Sequence, residues 1–141
     1  MFYNSSNNSK NKKEISKTFV DIFFQFLEFI KNYSNENNDF LNIYKKSYLL
    51  KKTNIRLFIQ MWYTHISSIY FKQIMDGDIE YFLYKDYNYE NKKMNVNNTN
   101  SIITECIMHM KELYSKLDKD IINIFVNYMQ KLTYLSILYY K

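Results

Sequence analysis

The chain has 141 residues, enough for one domain; it is 47% hydrophobic and 23% charged, with a net charge of +5. It contains no proline and no alanine, one glycine (Gly77) and one arginine (Arg56), all encoded mainly by GC-rich codons, whereas Asn, Lys, Ile, Tyr and Phe, with AT-rich codons, are in excess. Much of the composition therefore reports an AT-biased genome, so neither the charge nor the 15 tyrosines is by itself a functional signal, and one glycine excludes a phosphate loop, a nucleophile elbow and a dinucleotide fingerprint.

Residues 1–12 read as a disordered Asn/Ser/Lys-rich tail, and 13–141 as a single all-α bundle of about six helices. The first helix is expected from about Lys13 to Tyr33, with Ile15, Phe19, Ile22, Phe23, Phe26, Leu27 and Ile30 at three- and four-residue steps on one face. After a polar break, a second helix over about Asp39–Leu50 would turn Phe40, Leu41, Tyr44 and Tyr48 inward, with Lys51 and Lys52 at its negative pole. Thr53 or Asn54 can cap a third helix running to about Met75, its stripe being Ile55, Phe58, Met61, Trp62, Ile66, Ile69 and Tyr70. Gly77 supplies a left-handed stop, and Asp78 can cap a short fourth helix, about Ile79–Asp86. Asn-rich Tyr87–Asn100 reads as a mobile loop. Ser101 would then cap a fifth helix, about Ile102–Leu117, whose broad apolar face suits a central position. Ile103, Cys106, Ile107 and Met110 are its candidate core. Asp118 or Asp120 starts a sixth helix to about Tyr139, carrying Ile121, Ile122, Phe125, Tyr128, Met129, Leu132 and Leu135.

No chemical constellation emerges, and neither a cofactor nor a metal site is expected. His65 and His109 lie on different helices without partners at ligand spacing. Cys106 falls within an apolar stripe, the setting of an inert core thiol. The carboxylate pairs Asp76/Asp78 and Asp118/Asp120 sit at helix starts, where capping accounts for them. Trp62 reads as a core anchor. The lone cysteine rules out an internal disulfide framework and fits a reducing compartment. Residues Met1–Lys13 lack the apolar stretch of a secretory signal, and no run approaches the ~18 apolar residues of a membrane span. Basic residues are scattered and almost all are lysine, which argues against nucleic-acid reading despite a pI near 9.1. What is left over is apolar surface: Phe24, Phe29, Tyr134 and Ile137 lie off the main stripes of the first and last helices. Burial against a protein partner is their simplest use.

Two stretches carry a family likeness. Ser101-Ile102-Ile103-Thr104-Glu105-Cys106, followed by Tyr114, resembles the central helix of the poxviral Bcl-like family, where an aliphatic pair precedes a cysteine and an aromatic residue closes the helix. Ile43-Tyr44, Leu49-Leu50 and Ile55–Phe58 resemble that family's passage from second to third helix. The resemblance implies a non-enzymatic factor in the host-cell cytoplasm that binds host signalling or apoptosis proteins and inhibits innate immune signalling towards NF-κB or interferon. It also implies pairing through the face of the first and last helices, here Phe24, Phe29, Tyr134 and Ile137. Thr104-Glu105 stands where the family usually has a small residue, and Tyr114 where it has tryptophan. The Asn-Trp-Gly-Arg signature of cellular apoptosis regulators is absent, which favours the immune-signalling branch. The alternatives are an apoptosis inhibitor holding pro-death helices in a groove between the second and fifth helices, and an exported helical protein of an AT-rich parasite.

Overall fold

The structure, a computed structural model, describes residues 5–33, 38–84 and 108–141. In chain order these form α1 (Ser5–Tyr33), α2 (Asn38–Thr53) and α3 (Arg56–Trp62). A π-helical turn (Tyr63–Ser67) leads without a break into α4 (Ser68–Met75). Then come α5 (Ile79–Tyr84), α6 (108–114) and α7 (Lys119–Tyr140). No strand occurs among the described residues, and the architecture is an all-α bundle.

The periodicity of α1 does what it promises. Phe19, Val20, Phe23, Phe26, Leu27 and Ile30 are buried, while Lys17, Asp21, Gln25, Glu28 and Lys31 face water. Fully burying a side chain of this size contributes about 1.5–3 kcal/mol. α1 lies along α7, where Phe26 meets Phe125 at 5.4 Å and Tyr128 at 5.3 Å between ring centroids. The continuous segment from α3 through α4 packs across α7, and its first part also meets α1. There Trp62 sits edge-on to Phe19 at 6.1 Å and to Phe23 at 6.3 Å. α2 covers part of α1, and α5 packs on α4. In the described residues the helix running through the middle of the core is therefore Arg56–Met75, with Phe58, Trp62, Ile66, Tyr70 and Ile74 all buried.

α1 begins at Ser5, inside the stretch read as a disordered tail, so residues 5–12 are helical. With no proline or glycine there, nothing stops the helix from propagating towards the N-terminus, each added residue gaining one backbone hydrogen bond. α2 is longer than its apolar pattern, and its inward face is rotated from the expected one. Ile43 and Ser47 are buried, whereas Tyr48 points to solvent. The side chains of Phe40 and Leu41 lie outside the described residues. Neither Thr53 nor Asn54 caps α3. Thr53 closes α2, its hydroxyl donating to the Leu49 and Leu50 carbonyls at 3.2 Å, and the residue preceding α3 is Ile55 with no side-chain cap.

The turn at Gly77 forms as the sequence predicts. Gly77 has φ +81°, its N–H donates to the Ile74 carbonyl at 3.0 Å, and Asp78 N–H donates to the Gln73 carbonyl at 2.7 Å. These two bonds are the Schellman pair. Asp78 Oδ1 then accepts from Tyr81 N–H at 3.3 Å, capping α5. Of the expected fifth helix, α6 supplies the last turns. Met110 and Leu113 are buried, and the helix yields to a turn after Tyr114. The loop Tyr87–Asn100, the Ser101 cap, and Ile103, Cys106 and Ile107 lie outside the described residues.

Candidate interaction surface

The π-turn decides which side of α4 faces water. An α-helix advances 3.6 residues per turn, and a π-turn accommodates one more. Trp62, Ile66, Tyr70 and Ile74, four residues apart, consequently stay on one buried line. In an unbroken α-helix that line would drift to Ile69 and Gln73. Ile69 is instead 47% exposed, against the expectation that it lies on the inner stripe. Tyr70 is itself non-helical (φ −116°, ψ 15°), a kink inside α4, so the positions after it follow from the π-turn and this kink together.

The buried side of this segment is tied to α7 by polar pairs. Trp62 Nε1 donates to Thr133 Oγ1 at 3.1 Å, and the hydroxyls of Ser67 and Ser136 bond to each other; all four side chains are buried. Ser136 also donates to the Thr133 carbonyl at 2.7 Å. At the far end Gln130 Nε2 donates to the carbonyls of Met75 (3.3 Å) and Ile74 (3.2 Å), the latter already accepting from Gly77 N–H, and so ties the end of α4 to α7. Small Ser and Thr side chains let the two helices approach closely, and the partnered hydroxyls remove the cost of burying polar atoms.

With its inner side so fixed, α4 presents Ser68, Ile69, Phe71, Lys72 and Met75 to solvent. Phe71 and Met75 are one turn apart and adjoin on the surface. Tyr81 of α5 is also exposed, its ring 6.4 Å from that of Tyr70. This is the region where large apolar side chains are exposed most densely along the described chain. Isolated exposed hydrophobics are ordinary on soluble proteins; several on one short helix mark an interaction surface.

The four residues expected to form one face of the first and last helices are not brought together. Phe29 is only 9% exposed, stacked among Phe26, Phe125 and Tyr128, so it belongs to the α1–α7 seam. Phe24 is half-buried under α2, edge-on to Tyr44 at 5.9 Å and Phe58 at 5.8 Å, with the Lys51 ammonium 4.9 Å from its ring. A second layer of core, not a partner, covers both. Tyr134 is 53% exposed on the outward side of α7, and Ile137 is half-buried. Of the candidate core of the fifth helix, Met110 is fully buried.

The reactive side chains stay apart. His65 lies within the π-turn and His109 in α6, both half-buried, and no group of three or more His, Cys, Asp or Glu among the described residues could hold a metal ion. One titration is displaced. Burial, and then the neighbouring Tyr139 and Tyr63, raise the Tyr140 pKa above 10.0; its ring lies 4.3 Å from that of Tyr63. No described helix is long and apolar enough to cross a membrane.

Searches against known proteins leave the surface to be read on its own terms: no family model, no curated protein and no solved structure matches the chain. Sequence reasoning missed Phe71 and Met75 as a surface, and placed Ile69 on the inner stripe, because it assumed one unbroken helical period. The available signal was the four-residue spacing of Trp62, Ile66, Tyr70 and Ile74, which fits a widened turn better than a regular α-helix.

Proposed function

We propose that this chain is a non-enzymatic helical module that binds proteins of host innate immune signalling and docks them through the outer side of α4. The exposure of Phe71 and Met75, one turn apart on a helix whose inner side is tied to α7, carries this reading; Ile69 is exposed on the other flank of the buried line. A docking helix needs a fixed backbone, so that its apolar side chains are presented without a further ordering cost. The Trp62–Thr133 and Ser67–Ser136 pairs and the Gln130 cap supply that rigidity. The likeness of Ser101–Cys106 and Tyr114 to the poxviral Bcl-like central helix supports the choice of partner class; Ser101–Cys106 lies outside the described residues. The partner-binding surface differs from the face that this likeness implies, because Phe24 and Phe29 are used inside the fold.

The test is quantitative co-purification from transfected cells with the wild-type chain and with Phe71→Glu/Met75→Glu. Both positions are exposed, so circular dichroism and the thermal midpoint should stay at wild-type values. Innate-signalling proteins enriched by the wild type and lost with the double variant are the expected result. Equal enrichment by both proteins, or enrichment of none, defeats the proposal.

A further inference from the structure

A second surface has a different chemistry. Between Ile43 and Arg56 the chain carries Lys45, Lys46, Lys51, Lys52 and Arg56 and no acidic residue. All five cations are exposed. Helical spacing fixes their arrangement on α2. Ile43 and Ser47 mark the buried side, so Lys45, Leu49 and Lys52 occupy the side pointing directly away from the bundle, with Tyr48 next to them. Leu49 is 64% exposed, more than any other large hydrophobic side chain among the described residues. The Lys52 ammonium lies 4.7 Å from the Tyr48 ring, Lys51 lies over Phe24, and Lys31 of α1 stands 5.7 Å from the Tyr44 ring. Lys51 and Lys52 of α2 and Lys31 of α1 are thus held against aromatic rings of the two helices. Among the described side chains one carboxylate borders them: Glu28 shares an α1 stripe with Phe24 and Lys31.

We infer that the outer side of α2 docks on an anionic lipid surface, with Leu49 entering the boundary between headgroups and acyl chains and the surrounding lysines contacting the headgroup phosphates and carboxylates. The arrangement matches what such a surface asks for: an apolar tip on the outermost point, an amphipathic aromatic beside it, and long basic side chains able to reach sideways to charge. A nucleic-acid surface would place aromatic faces and arginine forks at its centre. Here the centre is a leucine, and Tyr48 already carries Lys52 against its ring. The charge suits an anionic leaflet, where each nearby cation raises the binding constant about fivefold, and residues 43–56 carry no acidic side chain. This surface is separate from the outer side of α4, so it locates the chain and leaves its protein-docking side free.

The experiment is co-sedimentation of the full chain with phosphatidylcholine vesicles, with and without phosphatidylserine, across a series of salt concentrations. Binding should need phosphatidylserine and weaken as salt rises. Leu49→Asn should reduce the affinity about tenfold, and Lys45→Glu/Lys52→Glu about twentyfold or more. Circular dichroism should be unchanged in both variants, because the three positions are exposed. Absence of binding to phosphatidylserine vesicles overturns the inference, and so does binding that neither variant weakens. A single-stranded RNA oligonucleotide bound in place of the vesicles overturns it in favour of a nucleic-acid surface. None of these results bears on co-purification through Phe71 and Met75.

Discussion

Replacing Thr133 with valine tests the joint between the central helix and α7. Valine reproduces the shape of threonine but cannot accept the proton of Trp62 Nε1, now 3.1 Å from Thr133 Oγ1 in a buried setting. The indole donor is left without a partner, at a cost of about 1–3 kcal/mol. For a domain of this length 1 kcal/mol moves the midpoint by about 3–5 °C, so Tm should fall by about 3–15 °C. Thr133→Ser is the control. It keeps the hydroxyl and loses one methyl group, at a cost of about 0.8 kcal/mol. Urea unfolding followed by the fluorescence of Trp62, the sole tryptophan, reads both variants at an unchanged m-value. Valine should be the more damaging substitution. If it is as stable as the wild type, or if serine is worse than valine, packing volume rather than the hydrogen bond holds this joint.

Three further outcomes follow from particular residues. Ile69→Ala should change stability by about 0.5 kcal/mol or less, since its side chain is exposed, whereas Ile74→Ala should cost about 2–5 kcal/mol; equal losses in urea titration would mean the two share one environment. Gly77→Ala should cost about 1–2 kcal/mol from backbone strain at φ +81° alone, because an added Cβ meets nothing within 4 Å, and Gly77→Asn should recover part of that loss in thermal unfolding. The raised pKa of Tyr140 fixes a sign in alkali. Below pH 10 the folded and unfolded chains both keep this proton; above it the unfolded chain releases the proton first, so stability falls as pH rises. Tyr140→Phe should remove that part of the alkaline slope, and identical alkaline unfolding curves for the two proteins would contradict the assignment.

The sequence made helices legible wherever one regular period governed them. In α1 seven stripe positions repeat without interruption, and the structure buries or half-buries all of them. The Gly77 stop was legible because only one residue type tolerates that backbone, and Asp78 stood where a cap was needed. The rest failed for physical reasons that an apolar pattern does not carry. Ser47 is polar, yet it occupies the buried face of α2, and Tyr48, equally at home wet or dry, occupies the outer one. Phe24 and Phe29 lie off the stripe because α1 is covered on more than one side, by α2 and by α7. The α4 surface depends on one extra residue in one turn and on the kink at Tyr70, neither of which an apolar pattern displays.

Cysteine accessibility measures that change of register in α4. In a Cys106→Ser background, single cysteines at positions 69, 71, 73, 74 and 75 can be alkylated in the native protein and their rates compared. The π-turn predicts fast reaction at 69, 71 and 75, slow reaction at 74, and an intermediate rate at 73. Protection of 69 and 73 together with fast reaction at 74 would mean an unbroken α-helix, and the proposed docking side of α4 would then face the core.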